Sequence, residues 1–146
     1  MVDIHWQRAT GNRQGLNRKN AMLKILMVGM GGFAGAVCRY LVYETTLFLY
    51  KGAWLPLGTM TVNISGCLII GFLGGISETR ELFTPEIRAL VFIGFLGGFT
   101  TFSAFGYEIF FLVRNGQTGI ALANLGIQVI LGLSGVWAGF ALSRFF

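Results

Sequence analysis

Four long apolar runs constrain this chain more than any other feature of its sequence. They extend over residues 23–50, 57–76, 87–113 and 118–142. Each reaches the roughly 20 residues that an α-helix needs to cross a hydrocarbon core of about 30 Å. Because lipid offers no hydrogen-bond partners to a backbone, a spanning segment must satisfy its own polar groups, as a helix does. The sequence therefore predicts an all-α membrane protein with four transmembrane helices per chain.

The composition excludes several other classes of protein. The apolar residue types make up 54% of the 146 residues, and charged residues make up 12%, about half of the roughly 25% found in soluble domains. A soluble globule of this length lacks the polar residues to cover so much apolar surface. A soluble enzyme, a disordered tail protein and a disulfide scaffold are therefore excluded, and the length allows one domain.

Basic residues cluster near the N-terminus. Five of the 11 Lys and Arg residues lie within the first 24 residues: Arg8, Arg13, Arg18, Lys19 and Lys24. Residues 1–21 are polar and lack the apolar core of a signal peptide. We expect residues 1–21 to be a polar, basic N-terminal extension and residues 22–146 to form the transmembrane domain. Nucleic acid is not an expected partner, because its binding needs a basic face sustained along a fold.

The distribution of charge also bears on orientation in the membrane. An even number of spans places both termini on one side, which with the loop at 77–86 carries eight Lys and Arg residues against two on the other side. Without the N-terminal extension the ratio falls to four against two. Since orientation follows this asymmetry, the transmembrane domain is only weakly oriented, and insertion in both orientations can occur.

Small residues recur at a helix-packing spacing in every span. Two glycines four residues apart lie in each of them: Gly31 and Gly35, Gly71 and Gly75, Gly94 and Gly98, and Gly135 and Gly139. A face of this kind lets another helix backbone approach closely. Its presence in all four spans predicts a tight bundle and implies no particular function.

Polar side chains inside the spans are candidate functional residues, because a charged group costs about 2.5 to 3.5 kcal/mol to insert. They are Arg39, Glu44, Thr59, Thr61, Asn63, Ser65, Thr100, Thr101, Ser103, Glu108, Asn124 and Gln128. Thr59 and Asn63 are four apart, as are Asn124 and Gln128, so each pair shares a helix face. Such a stripe either joins helices through hydrogen bonds or lines a path for a polar solute, and the spacing leaves both interpretations open.

The third span carries the most specific signal, FIGFLGGFTTFSAFGYE from Phe92 to Glu108. Gly97 and Gly98 followed by Thr100 and Thr101 are poor helix formers, so we expect the helix to be broken in mid-membrane. A break there frees carbonyl oxygens that need protein, water or a cation, and carbonyl oxygens suit an alkali cation. The alternative is a continuous helix that packs closely through its glycines.

Two phenylalanines follow this stretch. Phe102 and Phe105 are three residues apart, so their rings share a face whose partly positive edges could contact an anion; ordinary packing is the alternative. The single histidine and the two cysteines are scattered, as are the carboxylates. Since no acid/base set or phosphate-binding loop is found, we do not expect an enzyme.

Three of these stretches together resemble one known family. GGFAGAVCRY at 31–40, PLGTMTVNISG at 56–66 and GFLGGFTTFSAFGYE at 94–108 resemble the hallmark segments of the CrcB/Fluc fluoride channels, in the same order and spacing over about residues 22–146. The resemblance implies a passive fluoride-selective channel of the bacterial inner membrane, which exports cytoplasmic fluoride and reduces its toxicity. It also implies an antiparallel, dual-topology homodimer with two pores.

The resemblance assigns roles to individual residues. Its pore residues, some of them weaker matches, correspond to Asn63, Phe102, Phe105, Ser103, Asn124, Gln128 and Arg39, and we add Thr59 as a further hydroxyl donor of the pore. The carbonyls of Gly97 and Thr100 match those that hold a structural sodium ion at the dimer interface, four carbonyls coming from two chains. Glu108 matches an acidic residue after the phenylalanine motif. Two hydroxyl residues of the family motif are replaced by Ala104 and Gly106, which affects the polar lining near Phe105.

Two other functions remain as alternatives. A small dual-topology drug/proton antiporter needs a membrane-embedded carboxylate in its first helix, whereas Glu44 lies towards the end of the first span. A non-transporting assembly subunit would not need a broken third helix. For the channel, the donors of Asn63, Ser103 and Thr59 and the ring edges would partly replace the water around fluoride, without a fixed charge that traps the ion.

Overall fold

The computed structural model describes residues 18–80 and 83–146, which form helices joined by short turns. The elements are α1 (Arg18–Leu49), α2 (Leu57–Arg80), α3 (Pro85–Arg88), a π-helix (Ala89–Leu96), α4 (Gly97–Phe99), α5 (Phe102–Arg114) and α6 (Thr118–Ser143). The elements from α3 to α5 together form the third span. Four helical segments of this part of the chain are long and apolar enough to cross a membrane: Ala21–Leu49, Leu57–Glu78, Pro85–Arg114 and Thr118–Ser143.

The prediction of four spans is confirmed, and the ends of each differ from the expected ones by a few residues at most. Helix α1 begins at Arg18, before the expected start of the transmembrane domain at residue 22. Residues 1–17 of the expected N-terminal extension lie outside the described residues. Gly52 (φ 83°) and Gly116 (φ 76°) form the turns after the first and third spans, because glycine adopts a positive φ without strain.

The glycine pairs bring the helices together in two groups. Helix α2 packs along α6, where a Cβ added at Gly71 would overlap the Val136 carbonyl and one added at Gly139 would overlap the Leu68 carbonyl. These contacts show that α2 and α6 run parallel, as expected of the second and fourth spans. The tight bundle predicted from glycine spacing is confirmed at these positions.

Helix α1 packs against the first half of the third span in the same way. A Cβ at Gly31 would overlap the Leu90 carbonyl, and one at Gly35 would overlap the Phe95 carbonyl. From the other side, a Cβ at Gly98 would lie 2.6 Å from the Gly32 carbonyl oxygen. The third span is therefore pressed backbone to backbone against α1 up to the end of α4.

The third span is broken, as predicted, but not at its glycines. Gly97 and Gly98 remain helical, and the extended residues are Thr100 (φ −81°, ψ 159°) and Thr101 (φ −150°, ψ 115°). Contact with α1 holds the glycines in the helix, whereas the β-branched threonines that follow favour extended backbone. Thr101 then caps α5, its hydroxyl oxygen accepting a hydrogen bond from the Ala104 N–H at 3.3 Å. The π-helix before the break was not predicted.

We predict that Gly71→Ala destabilises the protein, because the added methyl meets the backbone of α6 rather than a side chain that could move. Overpacking of this kind costs about 1 to 3 kcal/mol. Gly74→Ala is the matched control on the same helix, since no atom lies within 4 Å of its added Cβ. Thermal unfolding in detergent should show a lower midpoint for Gly71→Ala alone. Equal midpoints for the two variants would contradict the close contact between α2 and α6.

Candidate functional site

An open cavity of about 420 Å³ lies beside the break in the third span. Its polar and aromatic wall residues come from three separate spans and include Asn63, Thr101, Phe102, Phe105 and Gln128. Gly97 and Thr100 border the same cavity. The fold therefore brings together four of the eight predicted pore residues and both predicted cation ligands.

Asn63 on α2 satisfies the extended backbone at the break. Its Oδ1 accepts a hydrogen bond from the Thr101 N–H at 2.9 Å, and its Nδ2 donates to the Thr101 carbonyl at 3.1 Å. Nδ2 also donates to Gln128 Oε1 at 3.0 Å. A side-chain amide thus takes the place of a neighbouring strand for one residue, which meets the requirement that backbone groups inside a membrane find partners.

At the break, the carbonyls of Gly97 and Thr100 lose the N–H donors that a continuous helix would give them. In a continuous α-helix the N–H of Thr101 would donate to the Gly97 carbonyl, and the N–H of Ala104 would donate to the Thr100 carbonyl. Here the Thr101 N–H donates to Asn63 Oδ1, and the Ala104 N–H donates to Thr101 Oγ1. The two carbonyls predicted as sodium ligands are therefore among those that lose their helical donor at the break, and carbonyl oxygens suit an alkali cation.

The two phenylalanines follow directly at the start of α5. The ring centroids of Phe102 and Phe105 are 5.8 Å apart, and the rings are tilted by 55°. Phe102 is 84% exposed within the single chain, and Phe105 is half-buried. Neighbouring Ser103 is exposed, with its hydroxyl 3.2 Å from that of Thr101. It does not belong to the described wall of the cavity.

A second cavity, of about 320 Å³, lies on the other side of Thr101. Arg39 and Thr59 line it, together with the tyrosines at 40 and 43. The Arg39 guanidinium makes no ion pair or hydrogen bond with residues 21–78 or 83–146. Thr59 and Asn63, expected on one face from their spacing, are thus divided between the two cavities, with Thr101 bordering both.

Thr59 and Glu108 are paired inside the bundle. Thr59 is only 2% exposed. Its hydroxyl donates a hydrogen bond to Glu108 Oε1. The other oxygen of Glu108, Oε2, is buried and has no hydrogen-bond partner within the described part of the chain. The hydroxyl of Thr59 is therefore engaged with a carboxylate in this structure, which the sequence did not predict.

Asn124 and Gln128 form one row with Asn63. Gln128 Nε2 donates to Asn124 Oδ1 at 2.8 Å, while Gln128 Oε1 accepts from Asn63. Asn124 is completely buried, and Gln128 borders the first cavity. Of the two interpretations of this stripe, hydrogen bonding between helices is observed directly. The sequence did not indicate the contribution of Thr101, since hydrogen bonding by its backbone depends on the fold.

Most of the chain matches a known protein family. A family profile described as CrcB-like protein, Camphor Resistance (CrcB), matches residues 26–140. The chain belongs to the CrcB family. With four membrane-length helices, this CrcB chain is a multi-pass membrane protein.

Curated relatives share most of its length. The chain is 43% identical over 124 residues to a protein of Methylobacillus flagellatus named "Fluoride-specific ion channel FluC", an alignment that covers 84% of this chain and 96% of the relative. A protein of the same name from Maridesulfovibrio salexigens is 42% identical over 123 residues, covering 84% and 97%. Another from Solibacter usitatus is 42% identical over 122 residues, covering 84% and 99%.

We predict that Asn63→Ala lowers the stability of this CrcB chain by about 2 to 4 kcal/mol, because it leaves the N–H and the carbonyl of Thr101 unpaired inside the bundle. Ser65→Ala is the matched control on α2, since the Ser65 hydroxyl bonds only to carbonyls of its own helix. Thermal unfolding of both purified variants measures the difference. Equal stability of the two would show that Asn63 does not hold the break.

Proposed function

We propose that this chain forms a passive, fluoride-selective channel through which cytoplasmic fluoride leaves the cell, so that fluoride toxicity is reduced. The observation that carries the proposal is the cavity at the helix break, where Asn63, Phe102 and Phe105 meet. The proposal is supported by family membership and by relatives that are named fluoride-specific ion channels.

The walls of this cavity suit a small, strongly hydrated anion. An amide N–H and the partly positive edges of two rings supply weak attraction, and none of its described wall residues carries a charge. Conduction requires binding that is strong enough for entry and weak enough for release. Neutral donors meet this condition better than a lysine or arginine would in the same place.

Arg39 contributes in a different way. It lies in the second cavity, on the far side of Thr101, and has no anionic partner among the described residues. An unpaired guanidinium raises the potential of its surroundings, which favours an anion in an otherwise apolar interior. Thr59 borders the same cavity, but its donor is held by Glu108. We therefore place attraction of the anion with Arg39, and partial replacement of its water with Asn63 and the ring pair.

The geometry gives less support to a drug/proton antiporter. That function requires a membrane-embedded carboxylate in the first helix, whereas Glu44 lies near the C-terminal end of α1. The third span instead has the break that the channel requires. We therefore favour the channel, and a proton-coupled cation flux would argue for the antiporter.

We further propose that two copies assemble as an antiparallel, dual-topology homodimer around a sodium ion. The resemblance implies two ligand carbonyls from each chain, those of Gly97 and Thr100, and two carbonyls alone do not replace the water shell of an alkali cation. A second copy would supply two more. Phe102, a proposed pore residue, is also 84% exposed within one chain. A second copy would cover it. A bound sodium ion would supply fixed positive charge near the path of the anion.

The first functional prediction is rapid fluoride efflux from proteoliposomes, with chloride excluded. Asn63→Ser should reduce the efflux rate at least about tenfold, since a hydrogen bond to an ion contributes about 1.5 to 3 kcal/mol. Phe102→Ile should also reduce the rate, because it removes one of the two ring edges. Phe110→Ile is the control for Phe102, because Phe110 is an exposed residue of the same helix. A fluoride electrode measures the efflux. Normal rates in both pore variants would contradict the roles given to these residues.

The second functional prediction concerns the proposed sodium ion. Replacing sodium with N-methyl-D-glucamine should reduce fluoride efflux and convert dimers to monomers, because the released carbonyls would then lack a positive partner. Efflux measurements and light scattering on the purified protein test both effects. Unchanged efflux and unchanged mass without sodium would rule out the ion as a structural element, while leaving the channel itself in place.

A further inference from the structure

The orientation of the Asn63 amide is fixed by the backbone. A backbone N–H can only donate and a carbonyl can only accept, so Oδ1 must face the Thr101 N–H and Nδ2 must face the Thr101 carbonyl. The oxygen and nitrogen of this side chain therefore cannot be exchanged without breaking both hydrogen bonds.

This fixed orientation passes along the row of amides. Because Asn63 presents an N–H to Gln128, the atom of Gln128 that meets it must be Oε1. Gln128 Nε2 then points to Asn124, whose Oδ1 accepts it at 2.8 Å. The hydrogen bonds all run in one direction, from Asn63 through Gln128 to the completely buried Asn124.

Both N–H groups of Asn63 are consequently engaged with protein atoms. One holds the Thr101 carbonyl, and losing it would leave a backbone group of the break unpaired, which is costly inside a membrane. The other is donated to Gln128, a neutral side chain that borders the same cavity. Only this second N–H can be transferred to a ligand while the break stays intact.

We propose that Gln128 Oε1 and the permeating anion compete for this one N–H of Asn63. Gln128 is then a positioning residue that sets how tightly the pathway holds fluoride, and Asn124 acts by keeping the Gln128 amide in its orientation. The proposal rests on the proposed function. When the ion leaves, Gln128 Oε1 can accept the Asn63 N–H again. No buried donor is then left unpaired, and the cost of an unpaired donor does not oppose release.

The main test is the dependence of fluoride flux on concentration. Gln128→Met keeps the length of the side chain and removes its acceptor, so the anion no longer competes for the N–H. The half-saturating fluoride concentration should fall about fivefold, as expected for one neutral hydrogen bond. Ser65→Ala serves again as the control. An unchanged or higher concentration for Gln128→Met would overturn the competition.

Asn124 is tested by a double-mutant cycle. Asn124→Leu removes the acceptor of Gln128 Nε2 and should lower the half-saturating concentration by a smaller factor than Gln128→Met. In the double variant the value should equal that of Gln128→Met alone, because Asn124 acts only through Gln128. Independent effects that multiply would overturn this role and would indicate that Asn124 contacts the anion itself.

NMR of the protein without substitutions tests the same proposal, and it does not depend on whether a variant folds. The two Nδ2 protons of Asn63 have separate NMR signals in protein labelled with ¹⁵N-asparagine. Fluoride titration in nanodiscs should shift one signal strongly and the other little, and shifts of equal size, or none, would overturn the proposal. Absence of fluoride flux in the unaltered protein, in contrast, would reject the channel itself.

Discussion

The double hydrogen bond between Asn63 and Thr101 is the interaction on which the rest of the site depends. Two extended residues in the middle of a span would otherwise leave backbone groups unpaired in lipid, where each costs several kcal/mol. One amide on a neighbouring helix removes that cost at Thr101. Because the amide also borders the cavity, the group that permits the break is also part of the cavity wall.

Close glycine contacts between helices fix the positions of Asn63 and Thr101. Helix α1 holds the third span through Gly31, Gly35 and Gly98 up to the end of α4, and α2 is held against α6 through Gly71 and Gly139. These contacts join backbones, which move little, so the break falls where the close contact with α1 ends. Beyond that point α5 is free to take a new direction, and its first turn presents Phe102 and Phe105 to the cavity.

The sequence predicts the spans, the broken third helix and several of the residues around the cavity, because these depend on local hydrophobicity, glycine spacing and a specific motif. It does not predict which atoms meet. Thr59 and Asn63 share a spacing, yet they open to different cavities because Asn63 reaches Thr101 while Thr59 bonds to Glu108. The position of the break, after the glycines rather than at them, likewise depends on contact with α1.

The arrangement of charge follows from the requirement for release. A positive side chain inside the first cavity would bind an anion strongly in a low dielectric and hold it there. The described residues instead place Arg39 across Thr101, in the second cavity, and leave the first cavity with amides and rings. In the proposed channel, attraction and contact would then come from different residues. The competing hydrogen bond from Asn63 to Gln128 joins two neutral groups and contributes about 1 kcal/mol, so a single amide would be enough to alter the balance.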